Sequence, residues 1–93
     1  MKHTQKRLKF KRVKLGRQKL NGLADEYPLL IDARLKGKKE LEIIIHEAWH
    51  YLFPAMSEEM VQRMSIVMTN TLWFEGYRKV DNSNDIPMQD GTI

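Results

Sequence analysis

The sequence predicts a small α+β domain in which a short N-terminal sheet, antiparallel or mixed, is followed by two packed helices. Residues 8–15 and 29–35 alternate apolar and polar side chains as strands do, whereas the residues after Gly37 hold two runs of helical periodicity bounded by start and stop signals. Ninety-three residues make one domain with a limited core. The chain divides into a basic arm at 1–7, a folded domain at 8–79, and a tail at 80–93. The tail is rich in Asn, Asp, Ser, Gly and Pro and is expected to be disordered or loosely attached.

The first strand is basic. Leu8, Phe10, Val13 and Leu15 are interleaved with Lys9, Lys11, Arg12 and Lys14, and the alternation slips by one at Arg12 and Val13, as in a bulged or edge strand. Residues 16–28 read as a turn and an irregular connection, with Asn21 and Gly22 the clearest turn dipeptide and room for one further short strand. The second strand places Leu29, Ile31, Ala33 and Leu35 on one face and Asp32 and Arg34 on the other, where they read as a solvated pair.

Gly37 and Pro54 bound a helix over residues 38–53. Leu41, Ile44, Ile45, Ala48 and Leu52 form its packing stripe, and Ile43, His46, Glu47 and His50 fall on the adjacent face. His46 and His50 stand one turn apart, about 6 Å along the axis, and converge on one ion. Glu47 follows the first of them and is rotated off the metal, so it can act as general base toward a metal-activated water. This is the H-E-x-x-H arrangement of catalytic zinc.

Ser57 suits the N-cap of a second helix that runs to about Phe74, and Glu58 and Glu59 occupy its first turn, where negative charge complements the dipole. Glu58, Val61, Ser65, Met68 and Leu72 share one face, with Met60, Met64, Val67 and Thr71 beside it, and Met60, Met64 and Met68, repeating at i, i+4, read as gap-filling core. A catalytic zinc takes three protein ligands and keeps one position open. Glu58 points toward the first helix and is the expected third ligand, with Glu59, about 100° away, as fallback. Trp49 and Trp73 read as packing residues, and Gly76 ends the helix before Tyr77, Arg78 and Lys79.

Composition sets further bounds. With no cysteine there is neither a disulfide framework nor a thiolate zinc site, so zinc must use His and carboxylate ligands. No membrane span or signal peptide is evident, which makes an intracellular, cytoplasmic location the expectation. The formal charge of +4 is unevenly placed: residues 1–19 hold nine Lys or Arg and no acid, and the remainder is net acidic. Nucleic acid or an acidic partner could therefore be met through residues 1–19, with Lys9, Lys11, Arg12 and Lys14 as candidate contacts.

Over residues 8–79 the order of elements resembles the small zincin domains called minimal gluzincins, often encoded by phages. His46, Glu47 and His50, the Pro54 turn, the acidic opening of the next helix, the Leu72 and Trp73 pair, and Gly76, Tyr77 and Arg78 carry the likeness. The resemblance implies a zincin core, one zinc per chain, a third ligand at Glu58 or Glu59, and host-cell cytoplasm if the chain is phage-encoded. The expected function is a zinc metallopeptidase acting on a peptide or protein through a zinc-bound water. Glu47 would carry the proton, and Tyr51, Tyr77 and Arg78 are candidate oxyanion donors. Two other classes remain open: a noncatalytic zinc-stabilised interaction domain, and a nucleic-acid-binding accessory protein. An intact Glu47 favours the first reading over the second, because a structural site needs only ligands.

Overall fold

The computed structural model describes residues 6–15, 22–23 and 27–80. The expectations placed on residues 1–5, on most of the 16–28 connection and on 81–93 lie outside them. Three strands, β1 (Phe10–Val13), β2 (Gly22–Leu23) and β3 (Leu29–Asp32), precede two helices, α1 (Gly37–Leu52) and α2 (Glu58–Phe74). The domain is α+β, as the sequence predicts, and its sheet is mixed: β3 lies in the centre, parallel to β1 and antiparallel to β2.

The strands are shorter than their alternation suggests. β1 pairs with β3 in unbroken register from Phe10 opposite Leu29 to Val13 opposite Asp32, so the expected slip at Arg12 and Val13 is absent. β3 stops at Asp32 because that side chain folds the next residues into a turn. Its Oδ1 accepts the Arg34 N–H at 2.9 Å, and its backbone carbonyl accepts the Leu35 N–H at 3.1 Å. Arg34 closes on the carboxylate at two points, Nε to Oδ1 at 2.9 Å and Nη2 to Oδ2 at 2.6 Å. Asp32 is thereby buried and is not half of a solvated surface pair. These hydrogen bonds hold its carboxyl well below the usual range, against the opposing effect of burial.

Leu29 and Ile31, on one face of the central strand, are fully buried beneath α1. The α1 line that buries deepest is Glu40, Ile43 and Glu47, with spacing i, i+3, i+7. The sequence instead assigns packing to the neighbouring stripe, whose Leu52 is exposed. The carboxylate of Glu40 is held by Arg12 of β1, with Nε at 3.1 Å and Nη2 at 3.0 Å from Oε2, and by Lys79 at 3.3 Å. Strand, helix and the segment after α2 are thus tied at one buried acid.

α1 ends at Phe53, whose N–H still reaches the Trp49 carbonyl at 2.9 Å, and Pro54 cannot extend the helix. Ser57 then caps α2, its Oγ accepting the Met60 N–H at 3.1 Å. This short connection makes the helices an antiparallel hairpin. α2 closes in a Schellman turn: Tyr77 N–H bonds to the Leu72 carbonyl and Gly76 N–H to that of Trp73, both at 3.0 Å, with Gly76 at φ 95°. Val61, Ser65 and Thr69 line the buried face of α2. Met60 and Met68 are exposed, contrary to their expected place in the core, and so is Val67, because among the described residues only one side of α2 is covered.

Candidate metal centre

The helical hairpin decides which acid meets the histidines. Its tight connection returns the first residue of α2 to the last two turns of α1, so Glu58 lands on His46 and His50. His50 Nε2 lies 2.8 Å from Glu58 Oε1, His46 Nε2 lies 3.3 Å from Glu58 Oε2, and the two imidazole nitrogens are 3.1 Å apart. The three ligand atoms are all within 4.8 Å of one another. Glu59, one residue on, turns outward to Arg63 at 3.8 Å and takes no part.

This donor set fits a tetrahedral ion. Zinc bound about 2.1 Å from each donor places its ligands roughly 3.4 Å apart, close to the 3.1 Å between the two imidazole nitrogens and the 3.3 Å from His46 Nε2 to Glu58 Oε2, whereas His50 Nε2 meets the other carboxylate oxygen, Oε1, at 2.8 Å. The tightest, between His50 and Glu58, is a hydrogen-bond length. The set is one carboxylate and two imidazoles, the hard and borderline ligands that suit zinc in a chain without cysteine. The imidazole side chains are mostly covered, whereas the Glu58 side chain is 66 % exposed, so the cluster opens to solvent on the α2 side. Burial, and then the neighbouring His50, lower the pKa of His46, with Glu58 opposing. The neutral ring that results is the form that ligates metal.

Glu47 sits beside this cluster but faces the sheet. Its side chain is buried against the backbone of β2, where a Cβ added at Gly22 would stand 2.6 Å from Glu47 Cγ and 2.9 Å from Oε2. Only glycine leaves that room. Tyr51, one turn beyond Glu47 on the same helix face, packs against Tyr27 with ring centroids 5.4 Å apart, and the Tyr27 hydroxyl accepts the Lys9 N–H at 2.9 Å. Gly22 and Tyr27 are wall residues that the sequence does not single out. Asn21 and Gly22 read only as a turn, and nothing local to Tyr27 marks its partner.

Two of the three candidate oxyanion donors lie apart from the histidines. Tyr77 and Arg78 follow the far end of α2, about 25 Å along the helix from Glu58, and Arg78 is spent on the Trp73 ring and carbonyl. Tyr51 alone of the three stays on the Glu47 side. Among the candidate nucleic-acid contacts, Lys9, Lys11 and Lys14 are exposed, and Arg12 is committed to Glu40. No helix is long and apolar enough to cross a membrane among the described residues. Comparison with models of known families, with curated proteins and with solved structures found no match to this chain. The likeness to gluzincins therefore rests on the residues themselves.

Proposed function

We propose that the chain is a zinc-dependent peptide hydrolase of gluzincin type, in which His46, His50 and Glu58 hold the metal and Glu47 moves the proton. The observation that carries this reading is the convergence of those three side chains within 4.8 Å at the end of the hairpin, with Glu47, the residue after His46, outside the ligand set. When bound, zinc supplies the Lewis acidity that activates water and stabilises charge on a carbonyl oxygen.

The chain's own residues supply the rest. The imidazoles of His46 and His50 and the carboxylate of Glu58 would hold the metal on two helices that one tight turn keeps together. Glu47 accepts the proton of the attacking water and delivers it to the leaving amine, so its carboxylate must be fixed and shielded from competing bulk water. The β2 backbone at Gly22 does both by covering it. Tyr51 is the donor placed to assist the developing oxyanion.

Metal content and hydrolysis of a peptide library, measured together, test the proposal. Wild type is expected to carry one zinc per chain, Glu58→Ala to lose it, and Glu59→Ala to keep it. Glu47→Gln should keep zinc and lose hydrolysis by about 10² to 10⁴. Zinc without hydrolysis in the wild type would leave a metal-stabilised interaction domain. No zinc after supplementation would end the metal reading altogether.

A further inference from the structure

At the opposite end of the hairpin from the histidines, β1, the first two turns of α1 and the residues after α2 enclose a concavity of about 250 Å³. Its walls are Leu41, Ile44, Trp73 and Tyr77, and its rim carries Arg12, Arg78 and Lys79. Glu40, buried at the base, accepts from both Arg12 and Lys79. Three cations around one carboxylate leave the hollow with two positive charges in excess.

That charge is held in place. The Arg78 guanidinium lies 3.6 Å over the Trp73 ring and donates to the Trp73 and Tyr77 carbonyls at 2.8 and 3.0 Å. Tyr77 lines the hollow and is 66 % exposed, so an aromatic residue open to solvent stands beside fixed cations. Positive charge continues along β1 and its flanks, where Lys9, Lys11 and Lys14 are exposed on either side of Arg12. Apolar walls and a free ring suit a flat, uncharged group, and the long cationic track suits a polyanion that extends beyond the hollow. A single nucleic acid strand offers both on one chain, whereas duplex bases are stacked away from such a cavity. At about 250 Å³ the hollow is smaller than the common pockets for drug-sized ligands, which is in keeping with one base rather than a larger molecule.

We propose that this concavity binds one base of single-stranded nucleic acid against Tyr77, while the exposed Lys9, Lys11 and Lys14 follow the phosphates and Arg12 and Lys79, held on Glu40, keep the rim positive. The site is separate from the metal centre and does not depend on hydrolysis.

Fluorescence anisotropy of labelled oligothymidylate of about 15 nucleotides, titrated with zinc-supplemented full-length protein over a salt series, tests it. Tyr77→Leu, which keeps apolar bulk without a π face, should weaken binding about tenfold, and Tyr77→Phe should bind as wild type does. Lys11→Gln combined with Lys14→Gln should lower the slope of log K against log salt by about 1.4. Circular dichroism checks that each variant is folded. No binding at low salt would overturn the proposal, as would equal affinity of folded Tyr77→Leu and wild type, or duplex bound as tightly as single strand. Displacement of the oligonucleotide by polyglutamate of equal charge would assign the surface to an acidic protein instead. None of these outcomes depends on peptidase activity, so the two proposals fail separately.

Discussion

A methyl group added at Gly22 would enter the space that the Glu47 side chain fills, 2.6 Å from its Cγ. Gly22→Ala is therefore predicted to push the carboxylate out of position while leaving His46, His50 and Glu58 untouched. Zinc content should stay at the wild-type level and hydrolysis should fall on the order of a hundredfold, as a misplacement of about 1 Å does elsewhere. Equal hydrolysis by Gly22→Ala would show that Glu47 is not held by this contact. Asp32 gives a second residue-scale prediction. Its folded-state pKa is depressed by Arg34, so the unfolded chain takes up the proton first as the medium is acidified. The stability it confers is fully present above the unfolded value of about 3.9 and is lost as pH falls toward the folded one. Asp32→Asn should thus be less stable than wild type at pH 6, with the gap narrowing below about pH 4 in denaturant titrations. A gap independent of pH would place the role of Asp32 in its neutral hydrogen bonds.

Among the elements, α2 has the least fitted interior. Ser65 Oγ and Thr69 Oγ1 are buried without a hydrogen-bond partner among the described residues. A buried hydroxyl left unpaired costs about 1–3 kcal/mol, so Ser65→Ala and Thr69→Val are each predicted to raise stability by roughly 1 kcal/mol. Thermal unfolding would register this as a few degrees, and a fall in Tm in both variants would mean that the hydroxyls are satisfied in solution. What could be foreseen of the elements follows the range of the forces involved. α1 and its His46, Glu47 and His50 were legible because helical spacing and the flanking Gly37 and Pro54 are local signals. Glu58 was legible because a capped helix start after a tight turn has few places to go. β2 was not, since two residues carry no periodicity and its position comes from pairing with β3. The outward turn of Met60 and Val67 was hidden for a related reason: an apolar period reveals a face but not whether another layer covers it.

At the scale of the whole molecule, Leu29, Ile31, Ile43 and Val61 are the apolar side chains that are buried among the described residues. Such a core gives a small domain little margin, and a metal that binds only the folded chain adds to it. Zinc held at a hundred times its dissociation constant contributes about 2.7 kcal/mol. For a chain of this length that corresponds to roughly 10–20 °C in Tm. Chelation is accordingly predicted to lower Tm by about 10 °C or more, and Glu58→Ala should be insensitive to chelator. An unchanged wild-type Tm would separate metal binding from folding. The two ends of the hairpin also divide the labour of the molecule. The His46, His50 and Glu58 cluster gathers where α1 turns into α2, whereas Arg12, Glu40 and Lys79 bind the other end to the sheet. Long-range pairs such as Arg12 with Glu40, 28 residues apart, lay beyond any sequence pattern.

The three proposed metal ligands fall between positions 46 and 58, and the tight turn at Pro54 is the only loop that must close to unite them. Loop-closure entropy rises with the length of chain enclosed, so this contact is among the least costly tertiary contacts the chain can make. The wall over Glu47 is of the opposite kind, because Gly22 reaches it across 25 residues of sequence. Contacts of low sequence separation form fast and distant ones slowly. The His46, His50 and Glu58 cluster is therefore expected to form on the hairpin before β2 closes over Glu47, so that the residue proposed to carry the proton is the last to be put in order.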